Sequence, residues 1–84
     1  MIVDVKHASP AALSELESLL AQLRRVPGRT EKRPGVFYKR SRAFLHFHED
    51  PTGMFADVRL AEDFERFEVT TAGQQQELLR RIEA

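Results

Sequence analysis

The tetrapeptide Asp50-Pro51-Thr52-Gly53 constrains this chain more than any other feature. Proline at the second place of a four-residue turn has its φ preset, and glycine at the end has no Cβ to obstruct it. The segments on either side, "RAFLHFHE" (42–49) and "MFADVRL" (54–60), alternate at the period of a strand. The turn therefore predicts both an antiparallel hairpin and its register. Glu49 opposes Met54, Phe47 opposes Ala56, Leu45 opposes Val58 and Ala43 opposes Leu60. That side is apolar and needs a cover. The alternate pairs are His48 with Phe55, His46 with Asp57, and Phe44 with Arg59.

The rest of the chain supplies the cover. In "SPAALSELESLLAQLRRVPG" (9–28), leucines 13, 16, 19, 20 and 23 recur at helical spacing. Ser9 is a plausible N-cap with Pro10 at N1, and Pro27 and Gly28 stop the helix. At the other end, "TTAGQQQELLRRIEA" (70–84) reads as a second helix, with Thr71 and Gln74 forming a capping box and Leu78, Leu79 and Ile82 facing inward. Two further strands are expected, "VFYK" (36–39) and "RFEVT" (66–70). The segment "GRTEKRPG" reads as a polar, basic loop, and "AEDFE" as a solvated connection.

The expected architecture is α+β, in the order α-β-β-β-β-α. A four-stranded antiparallel meander carries the N- and C-terminal helices on one face. A chain of 84 residues forms a single domain, 1–84, with residues 1–8 an arm or short edge strand. A domain this small buries only about 60–65% of its unfolded surface, so its core is thin.

Composition removes several functions. The chain has no cysteine, which excludes disulfides, thiolate metal sites and cysteine nucleophiles. The start, "MIVDVKHASP", has no basic segment followed by a sustained apolar run, and no stretch is long enough to span a bilayer. These features fit a cytoplasmic protein with no membrane partner. Net charge is zero, yet residues 24–42 hold eight basic residues against Glu31 alone, while residues 43–84 hold nine acids against four bases.

If a tight turn forms at Arg40–Ser41, Phe37 opposes Phe44 and Lys39 opposes Arg42, with Val36 and Tyr38 on the core side. The face away from the helices then carries Phe37, Lys39, Arg42, Phe44, His46, His48, Phe55, Asp57 and Arg59. A cationic face holding several phenylalanines calls for a cover. The leading expectation is a binding module for a small anionic ligand or a protein partner, with no cofactor. The rival is a nucleic-acid binder using this face and the basic 24–42 segment. A second copy of the chain would also bury the face, as a homodimer. The third reading is chemical. His46 and Asp57 are candidates for a general-base pair, and His46, His48 and Asp57 for a metal site. Asp50 points the same way along the strand but suits the turn better. The bland alternative is a strand whose exposed histidines do no chemistry.

The hairpin "FLHFHEDPTGMFADVRL", its preceding helix and the "PGRTEKRPGVF" connector resemble a family of small bacterial domains, some labelled luciferase-domain-like. The resemblance spans about residues 10–82. It carries over positions His46, His48, Asp57 and Arg59, and implies no catalytic role for them. A weaker similarity runs to the MmcQ/YjbR-like domains, for which DNA binding has been suggested, although their lysine–proline strand signature is missing here.

Overall fold

The computed structural model describes residues 6–83. The element order is β1 (Lys6–His7), α1 (Pro10–Glu15), α2 (Glu17–Leu23), β2 (Arg29–Arg33), β3 (Val36–Lys39), β4 (Arg42–Asp50), β5 (Gly53–Val58), β6 (Glu65–Glu68) and α3 (Ala72–Glu83). Strands β2 to β6 form an antiparallel meander in chain order, and β1 pairs with β4 beyond the reach of β3. The fold is thus α+β with a helical layer at each end of the chain. The meander has five strands where four were expected. Of the expected N-terminal arm, residues 1–5 lie outside the described residues, and β1 supplies a short strand. No helix among the described residues is long and apolar enough to cross a membrane.

The additional strand is β2, expected as a loop. Its sequence, RTEKR, has no apolar residue to mark a period, so only its backbone pairing with β3 reveals it. Its charged side chains suit an edge, because they discourage another chain from adding to the sheet. The β2–β3 turn depends on Gly35. Its φ is +76°, and a Cβ there would lie 2.7 Å from Leu13 Cδ2.

The first helix is interrupted at Leu16, where one continuous helix was expected. Leu16 adopts φ −94° and ψ 7°, and its N–H reaches the carbonyls of both Ala12 and Leu13. The expected caps are present. Ser9 Oγ accepts from the Ala12 N–H at 3.2 Å. Thr71 Oγ1 accepts from the Gln74 N–H at 3.2 Å, and the Thr71 N–H donates back to Gln74 Oε1 at 3.0 Å. The Ser9 N–H also donates to Glu49 Oε1 at 2.6 Å, which fastens the start of α1 to the end of β4.

Leucines 16, 19, 20 and 23 meet Leu78, Leu79 and Ile82 of α3 and the sheet residues Leu45, Phe47, Ala56 and Val58 in one buried cluster. The β4–β5 register matches the expectation pair for pair, from Leu45–Val58 to Glu49–Met54. The β3–β4 register does not. Lys39 opposes Arg42 and Tyr38 opposes Ala43, but Phe37 then opposes Leu45 and Val36 opposes His46. Phe44 is the extra residue of a bulge. That single residue reverses the facing of β3. Phe37 turns into the core, 1% exposed, and Phe44 is buried in the same cluster. Both were expected on the open face. Val36 and Tyr38, expected in the core, lie outside the main cluster. Val36 is buried beside His46, and half-buried Tyr38 has the Lys32 ammonium 5.5 Å from its ring.

Candidate functional site

In β4, His46 and His48 are two positions apart, so both leave the sheet on the side opposite Leu45 and Phe47. Across β5 they meet Asp57 and Phe55, and across β6 Asp57 meets Arg66. These pairings build a continuous ladder of contacts. The Arg59 guanidinium lies 4.5 Å from the Phe64 ring centre. Phe64 meets His46 edge-on at 5.1 Å between ring centres. His46 meets His48 in the same manner at 4.6 Å. His48 Nε2 lies 3.0 Å from Asp57 Oδ2. Arg66 closes on Asp57 with two hydrogen bonds, Nε to Oδ1 at 2.8 Å and Nη2 to Oδ2 at 3.0 Å. The Arg66 guanidinium also lies 6.0 Å from the Phe55 ring.

The electrostatics follow from this order. The hydrogen bonds from Arg66 hold the Asp57 carboxyl below the usual carboxylate range. Partial burial opposes them, while the charge of Arg66 and the two imidazoles add to the lowering. His48 is placed differently. Its Nε2 is at ion-pair distance from Asp57, but the alignment is not that of a hydrogen bond, and both ring nitrogens are buried without a hydrogen-bond partner. The contact is an ion pair only with the imidazole protonated. Arg59 Nε is buried and unpartnered as well. The donor atoms of His46, His48 and Asp57 all lie within 4.8 Å of one another.

Five of the expected face residues gather here: His46, His48, Phe55, Asp57 and Arg59. Four do not. Phe37 and Phe44 are in the core. Lys39 follows Phe37 by two positions and shares its side of β3, with its ammonium 6.0 Å from the Phe44 ring. Arg42 is exposed beside the Arg40–Ser41 turn. Asp50 belongs to its turn, its Oδ1 accepting from the Thr52 N–H and hydroxyl. The expected partners His46 and Asp57 stand opposite in register, and His48 Nε2 also lies at ion-pair distance from the carboxylate.

Two ladder residues were not anticipated, Arg66 and Phe64. The β5–β6 register would have revealed Arg66, but a loop of uncertain length hides that register. Phe64 had a signal, being the lone large apolar residue in "AEDFE". The exposed phenylalanine patch expected on this face is largely absent. Phe55 is half-buried, and Phe64, at 40% exposure, is the exposed large hydrophobic residue among the described ones.

A cleft of about 190 Å³ opens at Arg59, lined also by Arg42, Phe44 and Leu60, and larger clefts lie away from the ladder. One of about 430 Å³ runs between the ends of α2 and α3, lined by Val26, Arg29 and Ile82 among others. Arg29 Nε is unpartnered there, but Nη1 donates to the Pro27 carbonyl and the guanidinium lies 4.7 Å from the Phe44 ring. Comparison with protein-family models, curated proteins and solved structures finds no match to this chain.

Proposed function

We propose that this chain is a small binding module that holds an anionic ligand on the open sheet face, between Arg59 and His48. One observation carries the reading: Arg59 Nε and both ring nitrogens of His48 are buried with no hydrogen-bond partner. A buried polar group left in that state costs about 1–3 kcal/mol, and an oxygen-rich ligand docking on these groups recovers it. Asp57 does not repel such a ligand strongly, because Arg66 neutralises it. Phe64, lying between Arg59 and His46, gives the ligand an apolar wall.

The nucleic-acid alternative draws on the basic 24–42 segment. There, Arg24 is tied to Glu17 and Glu31, Arg29 and Lys39 lie at the Phe44 ring, and Lys32 lies at Tyr38. Arg25, Arg33, Arg40 and Arg42 are the exposed cations left to meet phosphates. The anion reading needs none of these four.

Titration with inorganic phosphate and with citrate, followed by side-chain NMR, tests the proposal. Saturable shifts at Arg59 Nε and the His48 ring are expected, and Arg59→Ala should weaken them at least about tenfold. Shifts confined to Arg25, Arg33, Arg40 and Arg42, or no saturation at all, would overturn it. A single-stranded oligonucleotide whose affinity falls steeply with salt would support the alternative instead.

A further inference from the structure

We infer that His46, His48 and Asp57 form a binding site for one divalent transition-metal ion. The inference goes beyond the anion reading, because it assigns what these groups hold before any anion arrives.

The placement is a consequence of strand geometry. Positions 46 and 48 share a face of β4, and Asp57 stands opposite His46 in β5. Two imidazoles and one carboxylate thus come from two adjacent, directly paired strands. Their donor atoms lie within 4.8 Å of one another. Bonds of 2.0–2.2 Å in a tetrahedral site place donors about 3.3 Å apart, so contraction by at most about 1.5 Å completes it. Rotation of the two rings, which now meet edge-on, provides that movement.

A second observation points to a ligand. Neither buried nitrogen of His48 has a hydrogen-bond partner, and Nε2 faces the Asp57 carboxylate at 3.0 Å, so one lone pair is not committed to any donor in the fold. Arg66 does not compete for the whole carboxylate. Each carboxylate oxygen accepts more than one bond, and a ligating carboxylate is commonly held in place by just such an outer hydrogen bond. Nitrogen donors with a single carboxylate favour zinc, iron, nickel or copper over calcium or magnesium, which prefer oxygen cages. Three protein ligands leave a coordination position open. The cation site does not rest on the proposed function.

The test uses the full chain and Zn²⁺ alone. Equilibrium dialysis should give one zinc per chain, and histidine-resolved NMR should show the His46 and His48 rings shifting together. His48→Asn and Asp57→Asn should each weaken binding at least about 100-fold, while Arg25→Ala, exposed and outside the ladder, should change it less than about threefold. No uptake would overturn the inference, as would full affinity in His48→Asn. The wild-type spectrum decides even if a variant does not fold: zinc that moves His7 but neither His46 nor His48 also overturns it. The two ligands separate cleanly. Saturable phosphate binding without zinc uptake leaves the anion reading standing and this one refuted. One zinc per chain with no phosphate response does the reverse.

Discussion

The two faces of the β4–β5 hairpin are built from alternate residues of the same segments, yet they obey different rules. On the helix side, Leu45, Phe47, Ala56 and Val58 are at most 1% exposed, and no polar or charged residue among the described ones is buried with them. That side is held by close packing, where every methylene counts. On the other side, His46, His48, Asp57, Arg59, Phe64 and Arg66 satisfy one another through ring edges, charge and hydrogen bonds, incompletely and within reach of solvent. The comparison shows how a thin domain separates its tasks. A one-residue step along either strand moves from a position that sets stability to one available for chemistry.

Substitutions on each side test that division. Phe47→Ala should be the most damaging, at about 3–5 kcal/mol, because it opens a cavity under both helical layers. For a domain of this size that is a large fraction of the total stability, and urea denaturation should show the folded baseline shrinking or gone. A cost under about 1 kcal/mol would break the comparison. Arg66→Ala, on the open side, removes two charge-assisted hydrogen bonds from a carboxylate that is 15% exposed. Because Arg66 itself is half in solvent, a loss of about 1 kcal/mol is expected by the same assay.

The smallest effect sharpens the contrast at the rim of the helix side. Glu31 accepts from Arg24 and from the Gly35 N–H, joining α2 to the β2–β3 turn. Arg24 holds its carboxyl below the usual range, the Gly35 N–H adds to this, and partial burial opposes both. A folded-state value below the unfolded one means that the stabilisation is present above the ordinary carboxylate range and lost as pH falls through the folded value. Glu31→Gln should therefore cost up to about 1 kcal/mol at neutral pH, with the gap to the native chain closing in acid. Parallel thermal melts across that range would measure it, and a gap that widens toward acid would assign the loss to packing instead.

The sequence exposed those parts of the fold whose physics is local. The Asp50–Gly53 turn determined the β4–β5 register, and with it the shared face of His46, His48 and Asp57. Ser9, Thr71 and Gln74 announced their helix ends. What escaped was non-local or left no compositional mark. Strand β2 has no apolar alternation, and its pairing with β3 alone makes it a strand. The bulge at Phe44 exchanged Phe37 for Val36 on the open face, although both sequences alternate normally. Arg66 reaches Asp57 only because the 59–64 connection sets the phase of β6, and that same connection brings Phe64 over His46. The candidate site was thus half legible: the hairpin part could be read, and the part delivered by the loop could not.

The surplus residue at Phe44 also bears on how the chain tolerates change. It takes up a mismatch between neighbouring strands before the segment carrying the imidazoles begins. An insertion or deletion at the Arg40–Ser41 connection can be absorbed there, leaving the phase of His46 and His48 against β5 untouched. The same change after Leu45 has nothing to absorb it, and would rotate both imidazoles beneath the helices while driving Phe47 into water.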